Sequence, residues 1–194
     1  MMRRFISILS AAVLRQSRGR ELSDESHGEE VLQDFKDTTE SGPNDAYAWL
    51  NKGNALYRSD RLEEALQAYN RAIQINSAYA EAWYNKGVAL GKLGHFGEAL
   101  QAYNRAIQIN SAYTEAWYNK GVALSKLGHS GEALQAYNRA IRSAPDNAQF
   151  WYSKGIVLVK LDRYADARRA FYTALEMGYY RAREALEAIR REGP

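Results

Sequence analysis

Three kinds of side chain in this 194-residue sequence recur at one fixed interval, and together they have the chemistry to hold another polymer. Tyrosines stand at Tyr84, Tyr118 and Tyr152, with Leu50 one interval earlier. Amides stand at Asn51, Asn85 and Asn119, and Ser153 closes that row. Cations stand at Arg58, Lys92, Lys126 and Lys160. An Asn amide donates and accepts at once, which matches a peptide backbone. A Tyr ring offers rigid apolar area with a polar tip. A row of cations favours an acidic ligand. Two further rows keep the same interval: Tyr47, Glu81, Glu115, Gln149, and Asn54, Val88, Val122, Ile156. The bland reading beside the binding one is that these residue types are the usual surface of any helical repeat.

Catalytic readings lack parts. The histidines are His27, His95 and His129, and the last two occupy the same place in successive copies, so duplication explains them better than a metal pair; no third ligand is in phase. The sequence contains no Cys, which removes thiolate nucleophiles, thiolate metal sites and disulfides. No Ser–His–Asp constellation and no phosphate-cradling glycine loop is present. Glu98 and Glu132 fall at expected helix starts, where the helix dipole favours an acid, and read as solvated caps. The expectation is a chain without catalysis, metal or cofactor.

The elements that must position the rows follow from the interval itself. Trp49, Trp83, Trp117 and Trp151 are the only tryptophans and each lies 34 residues after the last. Gly53, Gly87, Gly121 and Gly155 keep phase with them, as do Ala65, Ala99, Ala133, Ala167 and the aromatics Tyr69, Tyr103, Tyr137, Phe171. On a helical wheel Trp49, Gly53 and Leu56 share one arc, and Ala65, Leu66, Tyr69, Ala72 and Ile73 form the stripe of an amphipathic helix. Each copy is therefore a helical hairpin whose two stripes face each other, with the small Gly53 and Ala65 allowing close approach. Ser59-Asp60-Arg61 forms the turn, with Asp60 placed to cap the second helix. In the next two copies Gly94-His95 and Gly128-His129 take that place, Gly being a natural helix C-cap. The second helix is expected to end near Asn76-Ser77 or Ala144-Pro145.

The best copy reads Trp117, Gly121, Leu124, Ala133, Tyr137, Ala140, Pro145. In this the chain resembles the tetratricopeptide repeat family. The resemblance implies an all-α, right-handed α-solenoid of stacked helix-turn-helix repeats, with repeats at 46–79, 80–113, 114–147 and 148–181. It also implies that the arc carrying the rows lines a concave groove where a protein or peptide ligand lies, so the chain would serve as a protein–protein interaction scaffold or adaptor. The residues that would line the groove are Leu50, Asn51, Asn54, Arg58, Tyr84, Asn85, Lys92, Tyr118, Asn119, Lys126, Tyr152 and Lys160. Replacing Asn85 and Asn119 by Ala should weaken capture with the fold intact. Family members that bind chaperone C-terminal tails hold the carboxylate with basic residues from consecutive repeats. Here those places are Leu50, Glu115 and Asn119, so that ligand is disfavoured.

The ends are less regular. Residues 12–45 read as a degenerate leading repeat and acidic cap, against the alternative of an acidic linker; Glu29–Phe35 aligns with Glu63–Tyr69. Residues 182–194 read as a C-terminal capping helix. Residues 1–11 read as an N-terminal arm or a weak targeting segment, which leaves a cytoplasmic location and an exported or organellar one both open. No run of apolar residues is long enough to span a membrane. Net charge is +3. In residues 46–179 basic side chains outnumber acidic ones, and a single-stranded RNA would suit Tyr and Lys rows, but Glu81 and Glu115 interrupt the basic rows and make nucleic acid the lesser reading. Self-association through the array ends, near Tyr179 and Tyr180, is a third reading.

Overall fold

The computed structural model describes residues 44–192. The N-terminal arm, and the leading repeat apart from its last two residues, lie outside them. Four helical hairpins and a single helix follow in order among the described residues. The first hairpin is α1 (Ala46–Arg58) and α2 (Leu62–Ile75), and the second is α3 (Ala80–Lys92) and α4 (Phe96–Ile109). The third is α5 (Thr114–Lys126) and α6 (Ser130–Ser143), and the fourth is α7 (Ala148–Lys160) and α8 (Tyr164–Glu176). Helix α9 (Arg181–Glu192) closes the stack, burying Ala182, Ala185 and Ile189 against the last hairpin.

Local chemistry sets these bounds. The Asp45 carboxylate accepts the backbone N–H of Tyr47 at 2.8 Å and the Asn147 side chain accepts that of Gln149 at 3.1 Å, capping α1 and α7. Arg58, Lys92, Lys126 and Lys160 each lie in the last turn of a first helix, the favourable place for a cation. The turn inside each hairpin needs one residue with left-handed backbone: Asp60 at φ 59°, Gly94 at 82°, Gly128 at 85° and Asp162 at 57°. In the second hairpin the residues beyond Gly94 close the end of α3, with His95 N–H bonded to the Leu90 carbonyl at 2.9 Å. Asp60 is spent on this backbone role and does not cap α2. That helix is capped at Arg61 without a side-chain bond, a correction to the sequence expectation.

Within a hairpin the helices meet across a glycine. A Cβ on Gly53 would stand 2.5 Å from the Tyr69 ring, and one on Gly87 would stand 2.6 Å from Tyr103. The rings Tyr69, Tyr103, Tyr137 and Phe171 are all buried. Between hairpins, each first helix packs on the second helix before it, and successive first helices also touch one another. Successive second helices have no comparable contact, so the stack bends toward its first helices. An indole clips each joint: Trp83 Nε1 donates to the Ser77 carbonyl at 3.0 Å, Trp117 to Ser111 at 2.9 Å and Trp151 to Pro145 at 2.7 Å. Among the described residues no helix is long and apolar enough to cross a membrane.

Candidate functional site

The inner face is built from α1, α3, α5 and α7, which the contacts between successive first helices bring side by side. Its polar rows are hydrogen-bonded from one hairpin to the next. Asn54 Oδ1 accepts from the Tyr69 hydroxyl at 3.0 Å and from Asn85 Nδ2 at 2.8 Å. Asn119 Nδ2 donates to the Tyr84 hydroxyl at 3.0 Å. The Tyr118 hydroxyl lies 3.2 Å from Ser153 Oγ and accepts from Gln149 Nε2 at 3.0 Å. These amides stitch the array together, so they bind it before they bind anything else. Asn51 is half-buried at the start of the same row.

The tyrosine row does not present an exposed strip. Leu50 and Tyr152 are buried, at 1% and 4% exposure, and cannot offer area to a ligand. Tyr84 and Tyr118 are half-buried. The reason is an aromatic roof supplied by residues that follow each hairpin's second helix. Tyr84 packs on Tyr113 at 4.8 Å between ring centroids, Tyr118 stacks on Phe150 at 4.6 Å and Tyr152 packs on Tyr179 at 4.9 Å. Each ring also meets the core aromatic of its own hairpin, Tyr103, Tyr137 or Phe171. Burial raises the hydroxyls of Tyr84, Tyr118 and Tyr152, the last to about 12.

The cations divide in two. Lys92 Nζ pairs with Asp60 at 2.6 Å and lies 5.1 Å over the Tyr57 ring. Lys160 Nζ donates to the Ser125 hydroxyl at 2.8 Å and to its carbonyl at 3.1 Å, and burial followed by repulsion from Lys126 lowers it below the usual lysine range. Arg58 and Lys126 are exposed and make no ion pair to the described residues. Glu81 and Glu115 begin α3 and α5 and are also exposed. Since all four first helices run the same way, the face carries bases along one edge and acids along the other.

Midway along, the face opens into a depression of about 270 Å³ between α1, α3, α4 and α5. Tyr57, Val88, Phe96 and Val122 wall it, Lys92 and Asn119 stand at its rim, and Gly91 and Tyr103 line it as well. Of these only Val88, Lys92, Asn119 and Val122 belong to the rows picked out in the sequence. Gly91 escaped notice because a single glycine carries no periodic signal. The signal that could have found it is the break it makes in its own row, Tyr57, Gly91, Ser125, Val159. A second depression of about 350 Å³ lies off this face, where Lys86, Glu98, Gln101 and Arg105 line it. Among the described residues no group of three His, Asp or Glu is arranged to hold a metal.

Comparison with known proteins agrees with this architecture. Family models described as tetratricopeptide repeat match residues 80–113 and 118–178, and one described as TPR repeat matches residues 53–94. Solved structures of MamA superpose on the chain. One does so with a TM-score of 0.73 at 24% identity, covering 78% of this chain and 89% of that one. MamA 41-end from Desulfovibrio magneticus RS-1 gives 0.74 at 20% identity, covering 91% and 95%. The MamA RS-1 ArsTM double mutant gives 0.75 at 20% identity, covering 92% and 95%. At these identities the likeness is one of fold. No curated protein matches the chain.

Proposed function

Since the chain belongs to the tetratricopeptide repeat family, whose arrays are protein-interaction scaffolds, we propose that it is a non-catalytic adaptor whose inner face receives an extended segment of a partner protein. The observation that carries this reading is the run of four parallel first helices with the depression at its centre. Such a surface gives a chain in extended form room to lie across several repeats. Its polarity adds a direction: acidic side chains of the ligand meet Arg58 and Lys126 on one edge, and basic ones meet Glu81 and Glu115 on the other. The apolar surface left for binding is then that of the depression, Val88 and Val122 with Tyr57 and Phe96, because the tyrosine row is roofed and the asparagines are already bonded.

The reading is tested by placing benzoylphenylalanine at Val122, on the inner face, and separately at Gln101, on the outer depression. Photocrosslinks to a discrete protein from Val122 and none from Gln101 are expected, and Lys126→Glu should remove them. Equal crosslinking from both positions would end the proposal. Crosslinks to nucleic acid from Val122 would replace the partner class with RNA.

A further inference from the structure

We propose that the depression at Gly91 is an anchor site for one tyrosine side chain of the partner. The proposal rests on the inner-face reading above and names what that face selects.

Three observations carry it. The first is a vacancy. The station held by Gly91 is filled in the other hairpins by Tyr57, Ser125 and Val159. In the third hairpin the space is further crossed by Lys160, bonded to Ser125. Only the second hairpin leaves it empty. A Cβ on Gly91 would have the Tyr103 hydroxyl oxygen as its one neighbour, at 3.6 Å, an ordinary contact, so the room begins at the backbone.

The second is an unpartnered phenol. Tyr103 is 4% exposed, and its hydroxyl makes no hydrogen bond to any described residue. The matching hydroxyl of Tyr69 bonds to Asn54, but in the second hairpin that place is Val88. Among the described residues no polar side-chain atom is both sealed from solvent and unbonded. The Tyr103 hydroxyl therefore opens to solvent through the depression it lines. A hydroxyl that opens only through this depression takes its hydrogen bond from water there, and a ligand that displaces that water loses affinity unless its own polar group replaces the bond.

The third is the wall. Tyr57, Phe96, Val88 and Val122 are apolar and include two aromatic rings, a suitable seat for another ring. A side chain with an aromatic body and a hydroxyl at its tip satisfies both wall and floor. Leu or Val satisfies only the wall, and Lys or Asp would bury charge among aliphatic groups. The array supplies its own precedent, since Tyr57 is the residue that fills this station in the first hairpin.

The test uses the full chain and N-acetyltyrosinamide as probe, followed by amide NMR shifts. Saturable shifts at Val88, Gly91 and Val122 are expected, and N-acetylphenylalaninamide should bind about threefold to tenfold more weakly for want of the hydroxyl. Gly91→Tyr, which copies Tyr57, and Gly91→Val, which copies Val159, should each abolish the shifts while retaining the helical circular dichroism. Tyr103→Phe, which copies Phe171, should erase the preference for tyrosine over phenylalanine. No saturable shift at these positions, undiminished binding in both Gly91 variants, or equal affinity for the two amides overturns the proposal. If Val122 still crosslinks a protein when the tyrosine probe is silent, the anchor is wrong and the inner-face reading stands. If both are silent, both fall.

Discussion

Asn119 donates its side-chain amide to the Tyr84 hydroxyl across 3.0 Å, fastening the first helix of one hairpin to the first helix of the hairpin before it. The pair changes what an asparagine substitution can report. Asn119→Ala removes one partner and leaves a half-buried phenol unbonded, so a cost of about 1 kcal/mol is expected. In a chain of this size that lowers the melting temperature by about 2–4 °C. Asn85→Ala breaks the equivalent bond to Asn54 and should do likewise. Thermal melts of the two variants check this. Unchanged melting temperatures would mean that the bonds between hairpins contribute nothing, and would restore Asn85 and Asn119 as clean probes of binding.

Glycines separate sharply by what they face. At Gly87 and Gly121 an added methyl would stand 2.6 Å from the Tyr103 or Tyr137 ring, and those rings are pinned in the core. Gly87→Ala and Gly121→Ala should each destabilise by about 1–3 kcal/mol through overpacking. At Gly97 and Gly131 nothing lies within 4 Å, so the same change should stabilise by up to about 1 kcal/mol through helix propensity alone. Denaturant midpoints of the four variants give the comparison; matching signs would refute it.

The left-handed turn residues offer a gain. Asp162 at φ 57° stands where the middle hairpins have Gly94 and Gly128. Asp162→Gly relieves a backbone that side chains rarely adopt, at the loss of one exposed hydrogen bond from the Tyr164 hydroxyl. A net stabilisation of about 0.5–1 kcal/mol is expected, and Asp162→Ala should destabilise instead. Equilibrium unfolding that ranks the alanine variant at or above the glycine one would show the turn is not strained.

Alkali should dismantle the array. Burial raises the Tyr152 hydroxyl to about 12 and lifts Tyr69, Tyr103 and Tyr137 as well. An unfolded phenol titrates near about 10. A group whose folded value is raised contributes stability that is whole below the unfolded value and is lost as pH climbs through the folded one. Helical circular dichroism should hold to about pH 10 and then fall together with the rise of tyrosinate absorbance. Full ionisation of the tyrosines with the helix signal intact would contradict the burial of these rings.

The period of the tryptophans, glycines and core aromatics made the hairpins legible in the sequence, because each glycine meets its aromatic within one hairpin and each tryptophan marks the same place in its copy. The inner face was legible as a set of rows but not as a set of roles. Leu50 and Tyr152 fall on the correct arc, yet Tyr152 disappears beneath Tyr179, a residue from beyond its own hairpin. A helical wheel projects one helix and cannot show what the chain beyond the hairpin lays over it. The pairing of Lys92 with Asp60 escaped for the same reason, since the two stand in different hairpins. Gly91 escaped for the opposite one: a missing side chain has no arc to sit on.

The indole clips have a practical corollary. Trp83, Trp117 and Trp151 each donate to the carbonyl just before their own helix, and no tryptophan lies elsewhere than at its repeat's station. Apart from Trp49, the tryptophan emission of this chain therefore comes from its seams. Replacing Trp49 and two of these three rings by phenylalanine turns the remaining one into a lamp for a single joint. The order in which neighbours part company under denaturant could then be watched seam by seam, with no dye attached.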